Sequence, residues 1–146
     1  MKNIYIATDH AGYELKEILK KHLNDNNYNV IDLGPSNNNS VSYVSYGKKL
    51  AREVVADKKS FGIIICGTGI GISISANKVK GARAALCYNE EYAKLSRQHN
   101  DANILSLGAR FTASYHAKNI VDVFLNTKFE SGRHKSRVEE IDNDSK

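Results

Sequence analysis

The chain has no tryptophan, one proline and two cysteines among its 146 residues. Cys66 and Cys87 form no CxxC pair and match no zinc-ligand spacing, which excludes a disulfide scaffold and a zinc-finger site. No apolar run is long enough to cross a bilayer. The N-terminus, Met1-Lys2-Asn3-Ile4-Tyr5-Ile6-Ala7-Thr8-Asp9, turns acidic too early for a secretory leader and reads as a strand. A reducing cytoplasm is therefore the expected compartment, with both thiols free, either buried or reactive. An aromatic-interleaved basic stripe and an RNA-binding signature are also missing, so neither nucleic acid nor membrane is expected as a partner. The net charge of +5 still favours an anionic partner such as phosphate, unless scattered lysines merely keep the chain soluble.

What is present is a globular chain, 41% hydrophobic, of one-domain length. Strand-like and helix-like segments alternate. Strands are expected over Asn3–Thr8, Tyr28–Leu33, Phe61–Ile65, Ala82–Cys87 and Asn103–Leu107. Phe61–Ile65 is a continuous apolar run, the mark of a strand buried on both faces. Helices are expected over Gly12–Asp25, with Leu15, Ile18, Leu19, His22 and Leu23 on one face, and over Ser45–Asp57, with Leu50, Val54 and Val55 inward. Further helices are expected over Ile70–Lys78, Glu90–Gln98 and Ser114–Leu125, the last with Ile120, Val121 and Phe124 on one face. The alternation predicts an α/β fold: a three-layer αβα sandwich, a single Rossmann-like domain over residues 1–146 around a five-stranded parallel sheet. Residues 127–146 are polar and read as a C-terminal extension.

Open α/β sheets bind ligands beyond the C-terminal ends of their strands, where strand order reverses. Two loops answer that description: Thr8-Asp9-His10-Ala11-Gly12, and Cys66-Gly67-Thr68-Gly69-Ile70-Gly71-Ile72-Ser73. In the second, Gly67, Gly69 and Gly71 let backbone N–H groups approach a ligand, and the following helix adds its N-terminal partial charge. The pattern is neither a Walker A loop nor a complete GxGxxG, and a plain strand-to-helix turn would look the same. Cys66 stands where strand meets loop, so it is either a small buried hydrophobe or a thiolate base or nucleophile. Cys87 lacks such a loop and reads as structural. Asp9 and His10 offer a carboxylate and an imidazole, or a helix cap and a surface residue. Arg97-Gln98-His99-Asn100-Asp101 lies between helix and strand. Arg133 and Arg137 stand one helical turn apart, close enough to share one anion, unless Arg137 pairs with Glu140.

Together these segments resemble the B-type ribose-5-phosphate isomerases and their relatives, the galactose-6-phosphate and allose-6-phosphate isomerases. The resemblance runs from about Ile4 to Val138. It is strongest at Ile65–Ser73, followed by Ala76-Asn77-Lys78, and is nearly as specific at Leu95-Ser96-Arg97-Gln98-His99-Asn100-Asp101 and Gly132-Arg133-His134. It implies an aldose–ketose isomerisation of ribose 5-phosphate and ribulose 5-phosphate without metal or cofactor. In that reading Cys66 matches the proton-transfer base, and His99, with Thr68, the group that opens the sugar ring. Asp9 and Tyr43 match hydroxyl contacts. Asn100 and the amides of Gly67 to Ser73 match the enediolate cradle, with Gly69 and Gly71 inside it. His10, Arg110, Arg133 and Arg137 match a phosphate site.

The sequence departs from the family where Ser42-Tyr43-Val44 replaces Asp-Tyr-Pro, which keeps the tyrosine but loosens that loop. Ser75 and Ala82 replace an alanine and an isoleucine and touch no proposed role. The Asn37–Ser40 run near the pocket mouth leaves sugar length open. Rival readings are a hexose-6-phosphate isomerase and a non-catalytic phosphate-ligand or nucleotide-binding module. A nucleotide binder should carry an acidic ribose clamp after strand two, where Asp32 is the candidate. His99 and Asn100 precede the last strand, which puts them at the opposite end of the sheet from Cys66. A homodimer, or a dimer of dimers, with shared active sites would resolve that separation.

Overall fold

A computed structural model describes residues 2–143; Met1 and residues 144–146 of the expected domain lie outside the described residues. Five parallel strands run β1 (Asn3–Thr8), β2 (Asn29–Asp32), β3 (Phe61–Cys66), β4 (Ala84–Leu86) and β5 (Ile104–Gly108). Their order in the sheet is β2-β1-β3-β5-β4. The helices between them are α1 (Tyr13–Asp25), α2 (Tyr43–Ala56), α3 (Ile70–Asn77), α4 (Glu90–Asn100) and α5 (Ser114–Asn126), with α6 (His134–Glu140) at the end.

Period-two alternation divides the core between the two faces of the sheet. Ile4, Ile6, Ile63, Ile65, Leu105 and Leu107 pack with Leu19, Leu23, Ile120, Val121 and Phe124 of α1 and α5. On the other face Ala7, Ile64 and Cys66 pack with Leu50, Val54 and Ile72 of α2 and α3. All six residues of β3 are buried, as its unbroken apolar run requires. The expected three-layer sandwich is therefore present.

Several local expectations are corrected. The first helix begins at Tyr13, because His10–Gly12 form a 3₁₀ turn. A Cβ at Gly12 would lie 2.2 Å from the Thr8 hydroxyl, so the chain passes too close for any side chain there. Within α1, Ile18 is exposed, and His22 meets Asp122 of α5 at 2.7 Å. Strand β4 is shorter than expected, Ala84–Leu86, and the Asn77 side chain covers its outer edge by taking both the N–H and the C=O of Ala84. The segment Arg97–Asn100 is not a solvated turn but the last turn of α4. Arg97 is buried, donating to Asp101, the Ala102 carbonyl and the Thr127 carbonyl. Asp101, at φ 47°, ends the helix.

The C-terminal extension is no loose appendage. Glu130 N–H donates to the Gln98 carbonyl, and Asp142 accepts from Gly81 N–H. The tail is thereby bound to the N-terminal end of the sheet.

Candidate active site

Strands β1 and β3 are neighbours: the chain steps from β1 out to β2 on one side, then crosses back past β1 to β3 on the other. The reversal brings the two expected loops together. Asp9 N–H donates to the Ile65 carbonyl, and the Thr8 hydroxyl donates to the same oxygen. Asp9 is buried, and its Oδ1 accepts from Ala11 N–H, capping the 3₁₀ turn. His10 is exposed, and its Nδ1 accepts from Val41 N–H at 3.3 Å. The polar 36–41 segment is held over this loop, since Tyr13 also donates to the Ser36 carbonyl.

Cys66 ends β3, 5% exposed. Its sulfur accepts from Gly69 N–H at 3.2 Å. Gly69, at φ 79°, is the N-cap of α3, and a Cβ there would strike Leu107 main chain at 2.9 Å. Only glycine turns the chain this tightly. The thiol therefore sits at the positive end of a helix with an amide aimed at it. The Thr68 hydroxyl accepts from Ile70 N–H. The Ser73 hydroxyl donates to the Ile70 carbonyl and closes the first turn of α3. Ile70 N–H is spent on Thr68, which leaves the first-turn amides of Gly71 and Ile72 without an intrahelical acceptor. Gly71 gives Tyr43 its place: a Cβ there would meet the Tyr43 ring at 2.6 Å. Arg110, next to β5, lies over Gly67, with its guanidinium 3.0 Å from where a Gly67 Cβ would stand.

The departure at Ser42-Tyr43-Val44 has a local explanation. Ser42 is the N-cap of α2 and accepts from Val44 N–H at 3.1 Å. Capping replaces the lost proline as the restraint on Tyr43.

Cys66, Thr68, Asp9, His10, Tyr43, Gly67, Gly69, Gly71, Ser73 and Arg110 thus share the C-terminal end of the sheet. His99, Asn100, Arg133 and Arg137 do not. His99 lies in the last turn of α4 and stacks on His134, ring centroids 4.4 Å apart. Burial, then the neighbouring His99 and Arg133, hold His134 below the usual imidazole range. Arg133 caps α6 at its start, and Arg137 donates back to the Arg133 carbonyl. A five- or six-residue strand spans about 17–20 Å, so one protomer keeps these two sets apart. The separation expected for His99 and Asn100 extends to both tail arginines, which the sequence reading had grouped with His10 and Arg110.

Two contributors escaped the sequence. Tyr88, after β4, donates its hydroxyl to the Thr68 carbonyl, and Ser106 of β5 donates to the Gly69 carbonyl at 2.7 Å. Both brace the glycine loop from strands far along the chain. Two candidates are discharged. Asp32 cannot clamp a ribose, because Lys16, Lys20 and Gly34 N–H already hold its carboxylate. Cys87 is buried, and burial pushes its thiol up to about 11, which leaves it inert.

A parallel α/β sheet whose reversal point holds a cysteine at a glycine-rich helix start defines a small-molecule enzyme of the doubly wound class. The ribose/galactose isomerase family matches residues 4–141, and the chain belongs to that family. It is 48% identical over 139 residues to the probable ribose-5-phosphate isomerase B of Mycoplasma pneumoniae, covering 94% of this chain and 91% of that protein. It is 44% identical over 141 residues to ribose-5-phosphate isomerase B of Escherichia coli K12, covering 97% and 95%. The solved ribose-5-phosphate isomerase B of Mycoplasma genitalium, with bound ribulose 5-phosphate, superposes with a TM-score of 0.93 at 45% identity, covering 95% of this chain and 93% of that one.

Proposed function

We propose that this chain interconverts ribose 5-phosphate and ribulose 5-phosphate at two sites shared across a homodimer. The observation that carries the reading is Cys66, whose sulfur accepts an amide N–H at the start of α3. The Cys66 thiolate takes the proton from C2 of the open aldose. Electrons move into the C1–C2 bond and charge gathers on O1. The first-turn amides of α3 stabilise that charge, commonly by a few kcal/mol per donor. The thiol returns its proton to C1, and the hydroxyl proton on O2 passes to O1, leaving the ketose. Asp9 and Tyr43 hold hydroxyls, and the phosphate anchors the substrate so that C2 meets sulfur.

The dimer half of the proposal rests on the two separated sets. His99 of the partner subunit opens the ring. Asn100, Arg133 and Arg137 of the partner subunit complete the enediolate and phosphate contacts begun by His10 and Arg110. An uncovered apolar surface supports the pairing. Ile70 and Ile74 of α3, with Tyr88 before α4 and Tyr92 within it, are 38–63% exposed on either side of the short edge strand β4. Edge strands of this kind are usually covered. Free Cys66 and Cys87 suit a reducing cytoplasm, and no described helix is long and apolar enough to cross a membrane.

An isomerase assay on ribose 5-phosphate, allose 6-phosphate and galactose 6-phosphate tests the reading. The pentose should give the highest kcat/KM; a hexose preference would overturn the substrate assignment.

A further inference from the structure

At the N-terminal end of the sheet three metal-ligating side chains meet: His99, Glu130 and His134. Their donor atoms all lie within 4.8 Å of one another. Nε2 of each histidine is 3.8 Å from Glu130 Oε1. The backbone builds this meeting. Glu130 N–H is tied to the Gln98 carbonyl, next to His99. Ser131 and Gly132 both take left-handed conformations, φ 63° and 50°, and turn the chain so that His134 comes back over the His99 ring.

A tetrahedral zinc ion holds nitrogen and oxygen ligands at about 2.0–2.2 Å, which sets donor separations near 3.4 Å. Each histidine–carboxylate gap must therefore close by about half an ångström. The rings are nearly parallel, 17° apart, so their lone pairs run side by side, and one ring must swing to converge on an ion. His134 is 13% exposed and held; His99 is 37% and Glu130 50% exposed, and these can move. The site is empty.

We propose that His99, Glu130 and His134 form an inhibitory site for a divalent cation of the zinc class. Imidazole donors select zinc or cobalt over magnesium. The ion plays no part in the isomerisation; it withdraws His99 from ring opening. The inhibition rests on the isomerase reading above, whereas the binding does not.

The test uses the full-length, tag-free, EDTA-stripped protein. Zinc is titrated by calorimetry and cobalt by visible absorption, in wild type and in Cys66→Ala, Glu130→Gln and His134→Ala. One ion per chain is expected, without thiolate-to-cobalt charge-transfer absorption, and with wild-type affinity in Cys66→Ala. Glu130→Gln and His134→Ala should each weaken binding by at least the roughly tenfold that even an outer-shell partner is worth. Zinc should inhibit wild-type turnover reversibly, with EDTA restoring it, and Glu130→Gln should need about tenfold more zinc. Glu130→Gln is nearly isosteric, so it reports even where His134→Ala fails to fold. Loss of binding in Cys66→Ala, or unchanged affinity in Glu130→Gln, overturns the site. Zinc bound there with full turnover overturns the inhibition. A stripped wild type that is inactive on ribose 5-phosphate counts against the isomerase reading instead, and the titration still decides the site.

Discussion

The two ends of the sheet are built differently. The C-terminal end relies on backbone: Gly69 turns the chain, α3 offers its amides, and Ser106 and Tyr88 brace the loop from other strands. Its Cys66 and Asp9 side chains are buried. The N-terminal end relies on side chains. His99, Arg133 and Arg137 project from α4 and from a tail, and both arginines are exposed. The contrast teaches a division of labour. On the proposed reading, proton transfer at carbon needs fixed dipoles aimed at the developing charge, which backbone supplies without reorganisation. On the same reading, ring opening and phosphate capture need reach and charge, which flexible side chains of the N-terminal end supply together with His10 and Arg110.

The largest expected effect lies at the backbone end. Cys66→Ala should lower kcat by about 10²–10⁴ with little change in KM, the usual worth of a general base. Steady-state kinetics decide it, and wild-type turnover would remove Cys66 from the chemistry.

The charged end should fail differently. Arg133→Ala or Arg137→Ala removes a charge-assisted contact worth roughly 1.5–3 kcal/mol, about 10- to 150-fold in kcat/KM. The loss should fall on phosphorylated sugars and spare unphosphorylated ribose. Equal loss on both would make the arginines structural.

Mixing the two defects tests whether the ends meet across an interface. Inactive Cys66→Ala and His99→Ala subunits, allowed to exchange, should recover roughly a quarter of wild-type activity. About half of randomly paired dimers are hybrids, and each hybrid carries one intact site. No recovery after verified exchange would put Cys66 and His99 to work within one protomer and break the comparison.

The smallest effect concerns the frame of the C-terminal end, where buried Lys16 joins Asp32 to the Pro35 carbonyl. Desolvation raises the Asp32 carboxyl, but hydrogen bonds from Lys16, Lys20 and Gly34 N–H outweigh it and hold it below the usual carboxylate range. A depressed folded-state pKa adds stability that is complete above the unfolded value near 3.9 and lost as pH falls through the folded value. Urea melts should therefore weaken below about pH 4, and Asp32→Asn should flatten that slope. An unchanged slope would place the acid sensitivity elsewhere.

Much of this was legible in the residues. The apolar run of β3, the helix faces of α2 and α5, and the glycine loop beside Cys66 are local signals. Each reports a period or a turn that neighbouring residues determine together. The family motifs also singled out His99 and Arg133, whose roles remain proposals. Ile18 read as core because helical spacing cannot tell the centre of a buried stripe from its edge. Asp32 read as a free carboxylate because Lys16 and Lys20 lie 16 and 12 residues away from it. Glu130 carried no signal, since it gains meaning only where the tail folds back on α4.

The sequence by itself determined the alternation of strands and helices, the faces they bury and the chemistry gathered around Cys66, because these follow from contacts within a turn or a strand. Only the tertiary structure decided that β5 inserts between β3 and β4, which lets Tyr88 reach Thr68. It likewise decided that the tail lays His134 on His99, at the end of the sheet away from Cys66. Strand order and tail docking are settled by packing between distant segments, and a right-handed crossover determines which face a helix covers without saying how many strands it must pass.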